Sequence, residues 1–322
     1  MRLVVAALAR RVPRRIGESL RRRVAAVPAD RRPSRALIAA LRVLRVGGIP
    51  PDVREVEVLD EPGLRLVAAD SYVTTVAYWF GVRRGYESVE VSWWLRLVDD
   101  ATSVVELGAN VGYYSVLAGR RRPGLAYVAV EPHPGSAAAL RRNLELNGVG
   151  AVVREVAAVP QDLVGTEVVL QVPVSHDHFA DAPTGAFVDL GEGVPGLPAG
   201  ADYSVVEVRP EVVPVRDVVG PDVDLLKIDV EGLEHRLLAD LLPVLAESRP
   251  TILVEVLDRA GDLRAWIATE LLPLGYRAHA PEPGRLRPLD ATEIAGLGSD
   301  ASSDVRDVVL TVHDVTGWEP VR

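Results

Sequence analysis

From residue 102 onward the chain alternates short apolar runs with longer segments whose apolar positions recur every three or four residues. Ser103–Leu107, Leu125–Val130, Val152–Val159, Val223–Ile228, Thr251–Leu257, Tyr276–Ala280 and Val305–Val312 are strand-length runs bounded by turn residues. Helical spacing predicts helices from about 112, over Ser136–Leu146, over Leu233–Leu245 and over Leu263–Leu272. Strands apolar on both faces and separated by helices read as parallel βαβ units covered on each side. Right-handed crossovers would make the sheet doubly wound. The expected fold class is therefore α/β, with a mainly parallel sheet.

The first third of the chain has a different texture. Residues 1–50 form a basic arm of short helical pieces interrupted by Pro13, Pro28 and Pro33, and Gly47-Gly48-Ile49-Pro50-Pro51 reads as a linker. Residues 51–100 mix strand-like runs with an aromatic patch (Tyr78, Trp79, Phe80, Trp93, Trp94) and are expected to form an extension or cap on the domain at 101–322. Within that domain a Gly-, Pro- and Asp-rich insertion spans about 173–203. A loop of that length suits a cover over a substrate.

Charge sharpens the division. The 322 residues carry a net charge of -9, yet residues 1–48 hold 13 arginines against Glu18 and Asp30 alone, which leaves the body strongly acidic. The arm is expected to pack on its own acidic domain, with a membrane surface or an acidic partner as the other reading. An acidic body would repel phosphates, which argues against nucleic acid. The chain has no cysteine, which excludes disulfides, thiolate zinc sites and a cysteine nucleophile. No apolar run reaches transmembrane length, and arginines follow Leu3–Ala9 where a signal-peptide cleavage site would stand. A cytoplasmic location is expected.

The stretch richest in chemistry is Glu106-Leu-Gly108-Ala109-Asn110-Val-Gly112-Tyr113-Tyr-Ser. A buried strand runs into glycines that open a helix, so that bare backbone can approach a ligand over the strand's carboxyl end. A dinucleotide fingerprint reads Gly-x-Gly-x-x-Gly and offers amides to a pyrophosphate. Here Asn110 replaces the middle glycine and Glu106 adds negative charge, which suits a cofactor bearing an ammonium group, such as S-adenosylmethionine. No Gly-Lys-Ser/Thr ending exists, so a P-loop is excluded. The next strand ends in Val130-Glu131-Pro132, and Glu131 lies near the spacing at which a carboxylate accepts ribose hydroxyls.

These motifs, with Asn143-Leu-Glu-Leu-Asn147 and Lys227-Ile-Asp229-Val-Glu231-Gly-Leu-Glu234, resemble the FkbM family of S-adenosylmethionine-dependent methyltransferases over about 86–280. Tyr86-Glu87 is similar to a Tyr-Glu pair the family carries upstream of its glycine loop. Glu106 stands where the family usually has Asp. The resemblance implies a class I methyltransferase fold with a seven-stranded sheet, cofactor over Glu106–Gly112 with Glu131 on the ribose, and O-methylation of a sugar, polyketide or related metabolite.

The reacting group is sought at Lys227-Ile-Asp229-Val-Glu231. Strand alternation puts Lys227 and Asp229 on one face with Glu231 just past the tip. Lys227 is the only lysine among 36 basic residues, which suggests a position where guanidinium cannot substitute. Methyl transfer needs an aligned oxygen nucleophile and removal of its proton, for which a carboxylate or a depressed-pKa amine would serve. Lys227 is the candidate base, with Asp229 orienting it; a plain strand-end ion pair is the alternative. Asp229, Glu231 and Glu255, at the end of the next strand, are a candidate oxygen-only site for a divalent metal such as Mg²⁺. Tyr86, Glu87, Glu255 and the insertion's His176 and His178 are the candidate substrate contacts. The competing readings are a non-catalytic scaffold that keeps the cofactor fold and a nucleotide-sugar or dehydrogenase-type enzyme, which the absent Gly-x-Gly-x-x-Gly disfavours.

Overall fold

The structure, a computed structural model, describes residues 12, 14–28, 31, 33–45, 48–69, 71–174, 186–188, 204–257, 260–297 and 307–321. Two helices, α1 (Arg14–Ala25) and α2 (Arg35–Arg45), lead into the antiparallel pair β1 (Glu55–Glu57) and β2 (Arg65–Val67), then α3 (Tyr72–Phe80) and α4 (Ser88–Asp100). The alternating part follows as β3 (Ser103–Leu107), α5 (Tyr113–Arg121), β4 (Ala126–Val130), α6 (Pro134–Asn147), β5 (Val152–Arg154) and β6 (Ala157–Val159). Next come β7 (Leu170–Val174), β8 (Phe187–Val188), β9 (Ser204–Val208), β10 (Val212–Pro214) and β11 (Leu225–Ile228). The chain then runs through α7 (Glu234–Asp240), α8 (Leu242–Ser248), β12 (Thr251–Glu255), α9 (Gly261–Trp266), β13 (Arg277–Glu282), β14 (Arg285–Leu289), α10 (Ala291–Gly296) and β15 (Asp307–Thr311).

The central sheet has eight strands in the order β14-β13-β15-β12-β11-β3-β4-β5. The five from β5 to β12 are parallel and the last three antiparallel. This is the expected mainly parallel α/β sheet of the class I type, with one strand more than expected. β14 is the return arm of a hairpin on β13, turning at Gly284, whose φ of +88° a glycine accepts without strain. Strand order reverses between β3 and β11, and an open α/β sheet offers its crevice at the carboxyl ends beside such a switch.

Two cores follow from strand alternation. Val105, Leu107, Leu226, Ile228, Val254 and Val308 face one layer, closed by Leu237, Leu238 and Leu245. Val104, Leu225, Leu253 and Val309 face the other, closed by Trp93, Trp94, Tyr114 and Leu117. The aromatic patch is thus core for Tyr78, Trp79, Trp93 and Trp94. Two expected elements divide. The run Val152–Val159 splits, because β5 stays on the central sheet while β6 pairs with β10. The helix expected over Leu233–Leu245 becomes α7 and α8, since Pro243 lacks the N–H that would continue the ladder.

The N-terminal helices pack through a narrow buried stripe. Gly17, Arg21 and Val24 of α1 and Leu41 and Leu44 of α2 point inward. Arg21 is held there by the carbonyls of Tyr78 and Glu57 and by Glu18, with its guanidinium 3.6 Å from the Tyr78 ring centre. No helix among the described residues is long and apolar enough to cross a membrane.

Candidate active site

A cleft opens at the switch between β3 and β11. Its floor is the segment from Glu106 to Val111, one wall is Val156–Val159 with Leu170 and Val188, and the other is Lys227–Glu231 with Tyr86, Tyr113 and Tyr114.

The turn after β3 is positioned by backbone packing. Gly108 (φ +85°) lies so close to β11 that a Cβ would sit 1.8 Å from the Asp229 carbonyl oxygen; at Gly112 (φ +78°) one would strike Leu140. Glycine is therefore required at both places to seat the loop on β11 and α6. That is a different reason from the expected approach of a ligand to bare backbone. Asn110 takes a left-handed φ of +48°, and its side-chain oxygen accepts the N–H of Val111. The Asn143/Asn147 pair finds its role here too. Asn143 donates to the Val111 carbonyl and accepts from Val67 N–H, and Asn147 brackets Arg65, which ties α6 and β2 to the loop.

Glu131 is buried at the end of β4. One carboxylate oxygen accepts the N–H of Asn110 and the other the N–H of His133, both at 2.8 Å. Each oxygen keeps a second lone pair for another donor. Burial pushes its pKa up to about 7, against the pull of those two N–H groups. Pro132 also lines the cleft, and His133 caps α6 by accepting from Ser136 N–H.

Glu106 and Lys227 sit opposite each other in register on β3 and β11. One Glu106 oxygen takes the hydroxyls of Ser115 and Tyr127. Burial raises its pKa, and Lys227 opposes the shift. Lys227 is 3% exposed; its Nζ lies 2.8 Å from Asp229 Oδ2 and 4.4 Å from the Tyr114 ring centre. Tyr114 in turn donates to Glu87, which opens α4 with φ +43°. Burial alone would lower the Lys227 pKa, but Asp229, Glu106, Glu87 and Asp307 outweigh it and the net shift is upward. This corrects the expectation of a depressed-pKa amine. Lys227 is a fixed ammonium ion at neutral pH, unable to accept a proton, and its ion pair makes it the partner that positions Asp229.

The turn after β11 is shaped by Glu234, which accepts the N–H groups of Val230 and Gly232 while Glu231 adopts φ +57°. One carboxylate oxygen each from Asp229, Glu231 and Glu255 lies within 4.8 Å of the others, so these three come together. Glu255 Oε2 is buried without a hydrogen bond. Burial first, then Asp229, Glu231 and Asp307, push the Glu255 pKa up to about 11, so it holds a proton at neutral pH. Tyr86 lines the cleft and Glu87 reaches it through Tyr114. His176 and His178 lie outside the described residues, as does most of the 173–203 insertion.

Four residues escaped sequence reasoning: Ser115 and Tyr127 on Glu106, Tyr114 under Lys227, and Asp307 opposite Glu255 in register. Asp307 left one signal, an acid at the head of the apolar run Val308-Val309-Leu310.

A family model described as the methyltransferase FkbM domain matches residues 106–278, from the Glu106 strand through β12 into β13. Among curated proteins, "Methyltransferase 1" of Beauveria bassiana (strain ARSEF 2860) is 26% identical over 191 residues, 57% of this chain and 76% of that protein. Among solved structures, an FkbM methyltransferase of Methylobacillus flagellatus KT aligns at 13% identity and a TM-score of 0.35, covering 66% of this chain and 44% of its own. An O-methyltransferase of Bacillus cereus in complex with SAH aligns at 13% identity and a TM-score of 0.38, covering 71% of this chain and 82% of its own. The family match takes in more than half of the sequence and the motifs that build the cleft, and on that ground the chain belongs to the FkbM methyltransferase family.

Proposed function

We propose that the protein is an S-adenosylmethionine-dependent O-methyltransferase acting on a hydroxyl of a small metabolite, a sugar, glycoside or polyketide-type compound. The observation that carries this reading is the charge pattern of the cleft. Glu106, Glu131, Asp229 and Glu231 line it with Lys227 as the one cation among the described lining residues, and the loop N–H groups of residues 108–112 are already taken by Val130, Glu131, Asn110 and Ala109. That set fits a cofactor with an ammonium and a sulfonium, and disfavours a dinucleotide. Glu131 has lone pairs left for the ribose hydroxyls, Glu106 and Asp229 offer charge to the ammonium, and Val156, Ala157 and Val159 give an apolar wall for the base. The segment Gly108–Tyr113 and Pro132 complete the seat.

When bound, the cofactor supplies a methyl group on a sulfonium that leaves as a neutral thioether. Asp229 would accept the proton of the acceptor hydroxyl as that oxygen takes up the methyl group. Lys227 holds Asp229 in place through their ion pair, and Glu231 also lines the cleft. Alignment supplies most of the rate and the carboxylate roughly 10²–10⁴-fold. Tyr86 and Glu87 bound the acceptor side.

A divalent cation at Asp229, Glu231 and Glu255 is the second reading, favoured by their 4.8 Å convergence and the orphaned Glu255 oxygen. The donor set is all oxygen and fits a hard ion such as Mg²⁺. Turnover abolished by EDTA and restored by Mg²⁺ supports it; turnover indifferent to EDTA removes it. The primary reading is tested by transfer of labelled methyl from S-adenosylmethionine to a panel of hydroxylated sugars, glycosides and polyketides. Label on the oxygen of at least one, lost in Asp229→Asn, is expected. Label only on nitrogen acceptors would overturn the oxygen assignment.

A further inference from the structure

We propose that the outer face of α1 and α2 is a docking surface for an anionic lipid bilayer. The two helices pack on each other and on α3 through Gly17, Arg21, Val24, Leu41 and Leu44, which directs their opposite stripes to solvent. On α1 that outer stripe is Arg15, Ile16, Ser19, Arg22 and Arg23; on α2 it is Arg35, Ala36, Ala39, Arg42 and Val43. Arg31, in the connection between them, is exposed as well.

On the body, Arg54, Arg154 and Arg249 form no side-chain ion pair or hydrogen bond among the described residues, but several others are paired. Arg65, Arg121, Arg141, Arg209 and Arg236 each meet a carboxylate, at Glu55, Asp99, Glu155, Glu167 and Asp162. Among the described residues Arg15, Arg22, Arg23, Arg31, Arg35 and Arg42 form no side-chain ion pair or hydrogen bond. The local sequence offers them few carboxylates. Within residues 1–48 the only carboxylates are Glu18 and Asp30, and Glu18 is taken by Arg21 and Arg14. Among the described residues, six exposed guanidinium groups thus lie without a carboxylate partner on the outer faces of α1 and α2 and in the connection between them, in a protein whose net charge is -9. Guanidinium is suited to phosphate, and its forked donors grip phosphate oxygens in pairs.

Two aliphatic side chains decide between anionic partners. Ile16 is 45% exposed and Val43 50% exposed, both within the arginine stripes. A nucleic-acid backbone gains nothing from them, whereas the headgroup–acyl boundary accepts them as basic amphipathic helices lie in the membrane plane.

The test is co-sedimentation of the full chain with phosphatidylglycerol–phosphatidylcholine vesicles, with pure phosphatidylcholine vesicles, and with a single-stranded RNA oligonucleotide in parallel. Binding to the anionic vesicles alone is expected, weakening as salt rises. The triple variant R22Q/R23Q/R42Q should lose about a hundredfold, from roughly five-fold per arginine near a membrane surface. I16S/V43S should weaken vesicle binding while leaving net charge unchanged. All five positions lie away from the cleft, so circular dichroism and methyl transfer in solution should match the parent protein. No binding to anionic vesicles overturns the proposal. So does RNA binding at least as tight as vesicle binding, or vesicle binding indifferent to I16S/V43S, since either assigns the face to a generic polyanion.

Discussion

At the scale of single residues, the account turns on charges that a buried strand end would ordinarily not tolerate. Asp229 is ion-paired with Lys227, and Lys227 is kept protonated by a ring of carboxylates with Tyr114 beneath it. Asp229→Asn should lower kcat by about 10²–10⁴-fold while cofactor affinity changes by less than tenfold, measured by turnover and titration on the same preparation. Lys227→Met leaves buried carboxylates without a counter-ion and should cost about 3–5 kcal/mol of unfolding free energy in urea denaturation. Lys227→Arg keeps the charge but not the compact fit over Tyr114, and should fall between the two in turnover. The sequence singled out Lys227 as its one lysine, and the structure buries it at the cleft beside Asp229. The sequence alone could not show the direction of its pKa, because Glu106, Glu87 and Asp307 meet it only across strands and helices distant in the chain.

Glu131 gives a pH prediction. Its folded pKa of about 7 lies above the ordinary glutamate value, so the folded state binds the proton more tightly than the unfolded one. That stabilisation is fully present below about pH 4.5 and is lost as pH rises through 7, with a slope of at most about 1.4 kcal/mol per pH unit. The free protein should therefore lose stability between pH 5 and about 7. Ribose hydroxyls bind best to the ionised carboxylate, so cofactor affinity should rise over the same interval. Glu131→Gln should remove both slopes; a pH-independent affinity in the parent protein would contradict the assignment.

At the scale of elements, the glycine turn is a joint between β3 and β11. Gly108→Ala would push a methyl group into the Asp229 carbonyl and displace the very residue that takes the proton. The expected result is a loss of activity well beyond the roughly 1 kcal/mol typical of an exposed glycine change, accompanied by a lower Tm. Arg21 fastens α1 with hydrogen bonds to two carbonyls and Glu18. Charge-assisted bonds of this kind contribute about 1.5–3 kcal/mol each, so Arg21→Ala should lower unfolding free energy by a few kcal/mol. An unchanged denaturation curve would mean that α1 is not part of the cooperative fold.

The alternation of strand and helix was legible because runs such as Val104-Val105 and Ile252-Leu253-Val254 are apolar on both faces, as strands of a covered parallel sheet must be. The division of 152–159 was not, since Val-Val-Arg and Ala-Ala-Val have the same character and only their partners, β4 and β10, differ. β14 was missed for a related reason: Arg285-Leu-Arg-Pro-Leu is polar and carries a proline, which an edge strand permits and a sequence pattern reads as loop.

At the scale of the whole molecule, charge is segregated. An acidic cleft sits in an acidic body, and the basic residues of the N-terminal helices divide between one buried anchor, Arg21, and an outer face. The sequence showed the basic arm but not which arginine turned inward, since Arg21, Arg22 and Arg23 are chemically identical neighbours. Only helix geometry, placing 17, 21 and 24 on one stripe, separates them.

The measurement closest to the central claim is calorimetric titration of the purified protein with S-adenosylmethionine and, separately, with NAD⁺. The charge pattern of the cleft predicts micromolar binding of the first, weakened in Glu131→Ala, and no heat from the second. Binding of NAD⁺ in preference to S-adenosylmethionine, or of neither, would contradict the assignment of Glu106, Glu131 and Asp229 to a cationic methyl donor.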